Sequence, residues 1–442
     1  MNTSRANPKR LRVLACAFAC SPGGCRGLGD GEAVLGWNIV KQLARFHEVW
    51  VLTHIWNREG IEASEAKLDP NVQICYFDAP RGFRFLRRLQ GAFQIYAYLW
   101  QIKAYFVARR LHKQNRFDLF HHVTYANDWM ASHIGALLPV PYVRGPGGGA
   151  QRTPKGFLHE YRFRDRVWER IRSAGQRVLR SDPFFVLGQR RARAILVCNR
   201  EALEALPAKW EKKALHFPVN GVTADDFAAD SPPGSSDGRF QVFSAGKLLH
   251  WKGFGLAVRA FSRFAGKHPE AEFVIAGDGP ELPRLQALVQ ELGIEGKVRF
   301  ERWLPRQEVL SRMSASDVFL YGSIREGGGA IVVEAMAAGA PVVCLDSSGP
   351  GIHITDECGV KIRPESPGQV EREMAAALEK LYADPELRRR LGRAARQRAE
   401  QVYHWDRQGE RLLQIYQNAL NLRPEPEAHD PAQQESFVAK EA

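Results

Sequence analysis

The stretch REGGGAIVVEAMAAGAPVV, residues 325–343, decides the fold. It follows the apolar run DVFLYGSI, residues 317–324, which is typical of a buried strand, and its last residues begin another apolar run. The middle of the stretch is rich in Ala and Met, which favours a helix, and Gly339 can cap that helix. The sequence therefore predicts a strand–loop–helix–strand unit, whose crossover is normally right-handed.

Two carboxylates and three glycines mark this unit as a candidate site. Gly327, Gly328 and Gly329 lie where the helix begins, and there the backbone N–H groups are unpaired and the macrodipole is positive. Small side chains also let a ligand approach the backbone closely. Glu326 lies at the mouth of the loop and Glu334 about two turns further along. We expect a phosphate or a sugar to bind here; the alternative is an ordinary loop glutamate and helix glutamate without a task.

This setting resembles the retaining glycosyltransferases of family four, because a Glu, seven intervening residues and a second Glu recur in an EGxG…EAMAxGxPVV context. The resemblance implies an α/β protein with the GT-B fold: two Rossmann-like doubly wound domains face a cleft, and a C-terminal helix crosses back to the N-terminal domain. It also implies that Glu326 is a catalytic residue that contacts the hydroxyls of the donor sugar. Glu334 would hold the ribose hydroxyls of the nucleotide.

The rest of the chain divides around this expectation. Residues 1–227 are predicted to form an N-terminal Rossmann-like acceptor domain, and residues 228–239 form a linker rich in Pro, Gly, Ser and Asp. Residues 240–402 are predicted to form the nucleotide-sugar-binding domain, and residues 403–422 the helix that crosses back. The polar residues 423–442 are predicted to be a disordered tail.

Lys247 and Lys252 lie at another predicted strand-to-helix turn. Two cations there suit a diphosphate, whose developing charge they would stabilise. In the family that this chain resembles, the equivalent pair binds the donor pyrophosphate. The sequence contains no Asp-x-Asp pair, so we expect no metal site and no cofactor besides the nucleotide-diphosphate sugar that serves as donor.

The N-terminal half opens with a buried strand, residues 11–19, and a glycine-rich loop, residues 20–32, that lacks the GK[ST] ending of a P-loop. Within the loop, GLGDGE resembles the first loop of the family, which implies that Gly29 and Gly31 lie on the acceptor side. The first apolar run is too short to cross a bilayer and lacks a signal-peptide layout, so we expect a cytoplasmic protein. Seven scattered cysteines favour reduced thiols.

Two further strand ends carry candidate residues. His121 and His122 close one strand, and Gly147, Gly148 and Gly149 follow another; the carboxyl ends of parallel strands are where α/β proteins bind ligands. HHVTY and GPxGGG occur together in a subset of the family linked to polysaccharide synthesis. Most members carry a functional His where this chain has GPG, so His121 and His122 are candidates to replace it, with a structural role as the alternative. The three glycine amides could form an anion nest.

The formal net charge of +13 predicts an anionic partner. Residues 81–116 carry many basic side chains and no acid, and apolar residues recur there at spacings of three and four. This pattern indicates an amphipathic helical stretch that docks on an anionic membrane face, at about 1 kcal/mol per basic residue. The alternative is a core-facing helix with a solvated basic side. No nucleic-acid recognition motif is present, so we expect no nucleic-acid partner.

Together these features predict a retaining, metal-independent glycosyltransferase. It would move a sugar from a nucleotide-diphosphate donor to a hydroxyl of a glycan or of a lipid-linked acceptor in cell-surface polysaccharide biosynthesis, in the cytoplasm or at the inner face of the membrane. One alternative is a non-catalytic GT-B scaffold that binds a glycan or a nucleotide sugar. The other is a basic nucleic-acid binder, whose affinity would fall steeply with salt.

Overall fold

The structure is a computed structural model that describes residues 10–23, 30–64, 69–89, 93–227 and 239–421. These residues form two compact units. The first unit contains the described residues of 1–150, 172–219 and 405–429. The second unit contains residues 151–171 and the described residues of 220–404.

The first unit is built on a parallel sheet whose described strands run in the order β3-β2-β1-β4-β5-β6-β7. The strands are nearly continuous apolar runs, as expected for a sheet covered on both faces. Their bounds are β1 (Arg12–Ala17), β2 (Glu48–His54), β3 (Val72–Phe77), β4 (Leu119–Thr124), β5 (Tyr142–Gly147), β6 (Ala192–Val197) and β7 (Ala214–His216).

The helices along this part of the chain are α1 (Asp30–Ala44), α2 (Asn57–Glu62), α3 (Phe93–Asn115), α4 (His133–Leu137), α5 (Phe163–Leu179), α6 (Pro183–Arg191), α7 (Arg200–Glu204) and α8 (Ala208–Glu211). The basic stretch 81–116 is not one helix: a 3₁₀ helix, Arg81–Arg88, precedes α3. α3 turns one side inward, where Tyr96 and Trp100 are fully buried.

The second unit repeats the same plan with a smaller parallel sheet, in the order β10-β9-β8-β11-β12-β13. Its described strands are β8 (Gln241–Ala245), β9 (Glu272–Ala276), β10 (Val298–Glu301), β11 (Val318–Tyr321), β12 (Val342–Leu345) and β13 (Gly359–Ile362). Its helices are α9 (Phe254–Ala265), α10 (Leu282–Glu291), α11 (Arg306–Ala315), α12 (Ala330–Ala337), α13 (Ser348–His353), α14 (Pro367–Ala383) and α15 (Pro385–Arg398).

Both sheets reverse their strand order at one point, between β1 and β4 in the first unit and between β8 and β11 in the second. In open α/β sheets ligands bind beside the carboxyl ends of the strands at such a switch point. The second switch point lies between the strands that precede Lys252 and Glu326, so the loops that carry these two residues lie where a ligand is expected to bind.

The last described helix, α16 (Trp405–Ala419), belongs to the first unit. Trp405, Leu412 and Tyr416 are buried in the core that also contains Val13 of β1 and Val40 of α1. The C-terminal helix was predicted to return to the N-terminal domain, and it packs there.

Two parts of the predicted N-terminal domain lie in the second unit instead. Residues 151–171 pack there because Phe157 and Tyr161 are buried in its core, at 0% and 3% exposure. Residues 220–227 also belong to it, and Val222 pairs with His404 in an isolated bridge. The predicted linker and tail fall almost wholly outside the described residues. Within the part of the chain that the structure describes, no helix has the length and apolarity needed to cross a membrane.

Candidate functional site

The site in the second unit begins with a close approach of two backbone segments. Gly253, at the start of α9, has a φ of +63°, and a Cβ placed on it would lie 1.8 Å from the carbonyl oxygen of Gly322. Only glycine allows this contact. It brings the loop that ends in Lys252 against the loop that follows β11, which carries Glu326.

Lys252, Tyr321 and Glu326 form one hydrogen-bonded cluster. The Lys252 ammonium is ion-paired with Oε2 of Glu326 and donates to the Tyr321 hydroxyl at 3.1 Å. That hydroxyl in turn donates to Oε2 of Glu326 at 2.6 Å. The side chains of Lys252 and Glu326 are only 18% and 17% exposed. Since an ammonium has three donors, one remains beyond these two partners.

The cluster is electrostatically tight. Burial alone would raise the pKa of Glu326, but the charge of Lys252 and the hydrogen bonds from Lys252, Tyr321 and the Gly327 backbone lower the pKa of that carboxyl. Burial likewise opposes the charge on Lys252, and its acidic neighbours nevertheless raise its pKa above the ordinary value. Glu326 is therefore an anion and Lys252 a cation at neutral pH.

The glycine loop leads into α12 as the sequence predicts. Gly329 has a φ of +68° and is the N-cap, so the helix starts at Ala330. Glu334 thus lies little more than one turn into the helix, not two, because Gly327–Gly329 are loop residues. The unpaired N–H groups of this helix end point toward its N-terminal side, as an anion-binding site requires.

A buried histidine, His353, is hydrogen-bonded to the glycine loop. Nε2 of His353 is hydrogen-bonded to the carbonyl oxygen of Gly328, and Nδ1 lies 2.9 Å from the Tyr403 hydroxyl. Burial lowers the pKa of His353 to about 4, so the ring is neutral. Because a carbonyl only accepts, we assign the proton to Nε2, which donates to Gly328, while Nδ1 accepts from Tyr403.

Glu334 is held by an arginine. Nε of Arg306 donates to Oε1 of Glu334 at 2.9 Å, and the same guanidinium is paired with Asp226. Burial raises the pKa of Glu334, although Arg306 opposes that shift. The side chain of Glu334 keeps 20% exposure, so an oxygen remains accessible to a ligand hydroxyl.

Arg325, the residue directly before Glu326, is held by a buried ion pair. Its guanidinium is ion-paired with Glu169 of α5 and lies 4.7 Å from the ring centre of Trp251. The two charged side chains are 13% and 7% exposed. The amide of Ile324 also donates to the carbonyl of Trp251 at 3.0 Å. We infer that Glu169 positions the loop that presents Glu326.

We expect Glu169→Gln to lower the free energy of unfolding by about 3 kcal/mol, because it leaves the buried Arg325 charge without its counterion. Urea unfolding measures this. The control is Glu308→Gln, whose carboxylate is 45% exposed and 3.6 Å from Arg312, and which should change stability by less than about 0.5 kcal/mol. Equal effects of the two substitutions would contradict the positioning role.

The structure does not join Lys247 to this cluster. Its side chain is exposed, and within the described residues it forms no ion pair. Of the two lysines, Lys252 is the one that contacts Glu326 within the described residues, so a ligand shared by both lysines remains a prediction.

The two histidines predicted to be catalytic are not accessible. His121 and His122 lie within β4 and are fully buried. His121 uses both ring nitrogens, at 2.6 Å from the Tyr416 hydroxyl and 2.6 Å from the carbonyl oxygen of Gly145. Nε2 of His122 lies 3.1 Å from Gln101. Burial lowers the pKa of both rings, to about 4 and about 3. The predicted catalytic role is therefore wrong, and both histidines are structural, because β4 continues past them to Thr124 and both rings are fully buried.

The predicted acceptor-side glycines have mixed placements. Gly147 closes β5, and a Cβ there would lie 2.4 Å from the carbonyl oxygen of Ala126, while Gly149 has a φ of +113°. The carbonyl oxygen of Gly148 accepts a hydrogen bond from the backbone N–H of Asp128 at 3.0 Å. Gly31 lies in the first turn of α1 and is exposed. Gly29 lies outside the described residues.

Four contributing residues escaped the sequence analysis: Tyr321, His353, Arg306 and Glu169. Tyr321 ends a buried strand directly before the glycine loop, so a hydroxyl at that position was a usable signal. The other three reach the site from separate elements, and the sequence contains no spacing that would have indicated them.

The fold and the site define a Rossmann-like α/β protein with an acid–lysine cluster beside a glycine loop. Residues 226–398 match the family described as "Glycosyl transferases group 1". The match covers the residues that carry Lys252, Glu326 and Glu334.

Two curated relatives are similar to part of this chain. A 2-deoxystreptamine glucosyltransferase of Streptomyces kanamyceticus is 35% identical over 32% of this chain and 35% of its own length. The lipopolysaccharide core biosynthesis glycosyltransferase LpsE of Rhizobium meliloti (strain 1021) is 33% identical over 44% of this chain and 56% of its own length. The matched part of this chain thus spans about one third of the first relative's length and little more than half of the second's.

A solved structure covers nearly the whole chain. HepE of Anabaena, determined in complex with UDP, has a TM-score of 0.61 and 16% identity, and the match covers 92% of this chain and 99% of HepE. Together with the two parallel sheets, this likeness confirms the predicted GT-B fold class.

Proposed function

We propose that this protein transfers a sugar from a nucleotide-diphosphate donor to a hydroxyl of a glycan or lipid-linked acceptor, with retention of anomeric configuration and without a metal ion. One observation carries the proposal: Glu326 is ion-paired with Lys252 at the mouth of the glycine loop that precedes α12, within the residues that match the group 1 family. An acid, a cation and a helix N-terminus therefore occur together in one small region.

Each group has a chemical task in this proposal. The remaining donor of Lys252 and the amides at the start of α12 stabilise the negative charge of the departing diphosphate. Glu326 accepts hydrogen bonds from the sugar hydroxyls and orients the anomeric carbon. Glu334, fixed by Arg306, accepts from the ribose hydroxyls. Lys247 is free to follow a ligand because its side chain is exposed.

The acceptor side of this proposal lies in the first unit. Gly147 and Gly149 lie at the carboxyl end of β5, where a parallel sheet binds ligands. LpsE, by its name, acts in lipopolysaccharide core biosynthesis, and this supports a glycan or lipid-linked acceptor. Because His121 and His122 are buried, exposed side chains contact the acceptor hydroxyl in this proposal.

A peripheral membrane location belongs to the same proposal. The 3₁₀ helix Arg81–Arg88 exposes Phe83 and Phe85, at 44% and 58%, and α3 exposes Phe106 at 61%. Exposed aromatic rings among basic residues suit an anionic lipid surface. One side of α3 faces the core, as the alternative interpretation expects, because Tyr96 and Trp100 are buried. The opposite side remains available to a lipid surface.

The test is a donor screen with the full chain. UDP- and GDP-sugars are offered with mixed glycan acceptors, and products are followed by mass spectrometry; UDP-sugars come first because HepE was solved with UDP. We expect Glu334→Gln to raise the donor KM about tenfold with kcat little changed, since it removes a ground-state contact.

Glu308→Gln serves as the control for this substitution, because Glu308 is an exposed glutamate of the same unit. Binding of nucleotide sugars by titration calorimetry without any transfer or nucleotide release would favour the non-catalytic scaffold. An unchanged KM in Glu334→Gln would remove that residue from the nucleotide site.

A further inference from the structure

Helix α5 carries its apolar side chains on the outside. Phe163, Val167 and Ile171 recur every four residues, so they lie on one side of the helix. They are 75%, 37% and 56% exposed. A surface helix of a globular protein normally turns such a stripe toward the core. Here the apolar stripe faces outward, which is expected where a partner covers it.

The inward side of the same helix is polar. Glu169 is 6% exposed and ion-paired with Arg325, and Asp165 is half-buried, with Oδ2 3.9 Å from Nδ1 of His250. These two are the acids of α5. These ionic contacts hold the helix in this orientation. The apolar stripe therefore faces outward because the polar side of the helix is fixed inward.

Basic residues flank the exposed stripe. Arg164, Arg166 and Arg170 are all exposed, and Arg162 is exposed just before the helix. The guanidinium of Arg166 lies 5.9 Å from the ring centre of Phe163. Because both acids of the helix face inward, the outward side presents only apolar and positive groups. Such a surface complements an anionic, amphipathic partner.

Trp168 adds the last feature. It is 54% exposed and lies at the side of the stripe. Indole rings concentrate at the boundary between headgroups and acyl chains, and arginines reach outward to phosphates from the same depth.

We propose that the outward face of α5, residues 163–171, docks on an anionic phospholipid surface. Phe163, Val167 and Ile171 enter the acyl boundary, and the arginines contact the lipid phosphates. This deepens the peripheral location in the proposed function, because it adds a second lipid-contacting surface in the second unit, remote in sequence from residues 81–116. It does not rest on the proposed transfer reaction.

The experiment uses the full chain and vesicles of phosphatidylcholine, with or without phosphatidylglycerol. Wild type should sediment with the anionic vesicles at low salt. The double substitution Phe163→Ser/Ile171→Ser should lower the partition coefficient about tenfold, since it removes the apolar part of the contact. Leu137→Ser removes a residue that is 39% exposed elsewhere and should leave sedimentation unchanged.

A second measurement locates the contact. Brominated phospholipids should quench tryptophan fluorescence in wild type, and Trp168→Phe should sediment nearly as well but lose most of the quenching. Circular dichroism checks that each variant is folded.

Several results would overturn the proposal. These are no sedimentation at low salt, or normal sedimentation of Phe163→Ser/Ile171→Ser. Loss of sedimentation in Phe83→Ser/Phe85→Ser, together with wild-type sedimentation of Phe163→Ser/Ile171→Ser, would assign docking to the 3₁₀ helix instead of α5. A concentration-dependent dimer in sedimentation velocity that the α5 substitutions abolish would assign the stripe to a second copy of this chain.

Discussion

Replacement of Lys252 by Met should lower kcat/KM for glycosyl transfer by about a thousandfold, because a preorganised cation in a water-poor site is lost. It should also lower the free energy of unfolding by about 3 kcal/mol, since it leaves the buried Glu326 carboxylate without its positively charged partner. Steady-state kinetics and urea unfolding measure the two effects on one preparation.

A double variant separates the two effects. Lys252→Met/Glu326→Gln removes both charges, so stability should largely return while transfer stays as low as in the single variant. Lys267→Met is the control, because that ammonium is 74% exposed and its contact with Glu379 at 3.2 Å contributes little. Wild-type transfer in Lys252→Met would remove the lysine from the donor site.

The same cluster predicts a pH dependence. The pKa of Glu326 is lowered in the folded protein, so the pair contributes stability above the unfolded-state pKa of a glutamate. That stability is lost as the pH falls through the lower folded-state value. In Lys252→Met, burial acts on Glu326 without opposition from the lysine, so the folded-state pKa of that carboxyl should rise. Protonation then favours the folded variant, and the stability that the variant has lost relative to wild type should shrink as the pH falls.

Gly253→Ala should be the most destabilising single-methyl change at the site. The added Cβ would lie 1.8 Å from the Gly322 carbonyl oxygen, on a residue with a φ of +63°. The strained φ alone costs about 1–2 kcal/mol. The clash must also push the two loops apart, which adds about 1–3 kcal/mol, and Lys252 moves with its loop.

Gly293→Ala is a matched control. Gly293 has a φ of +64°, and a Cβ there meets nothing within 4 Å. It should show only the cost of the strained φ and keep full transfer activity. Thermal unfolding and donor turnover compare the two variants, and equal losses would contradict the close approach of the Gly253 and Gly322 backbones.

Local pattern was enough to predict much of this architecture. The run before Glu326 is apolar throughout, the glycines interrupt it, and the Ala-rich segment restores helical periodicity; β11, the loop and α12 follow in that order. The same reasoning predicted the strand-to-helix turn that carries Lys252. These features depend on residues close in sequence, whose physics a pattern can capture.

The rest required packing over long sequence distances. Lys252 and Glu326 are 74 positions apart and meet directly, whereas the sequence suggested separate tasks for them. His121 and His122 looked exposed at a strand end, but β4 continues and the sheet buries both rings. Nothing local shows that Glu169 reaches Arg325, because that contact depends on where α5 packs.

The placement of residues 151–171 bears on how this gene can be divided. Phe157 and Tyr161 are encoded among residues of the first unit, yet they complete the hydrophobic core of the second. A fragment that starts at residue 240 would lack both rings and would expose the apolar side chains that they cover, which favours aggregation of that fragment. The two halves of the chain therefore cannot be exchanged at residue 240. A chimera that replaces the second unit must replace residues 151–171 together with it.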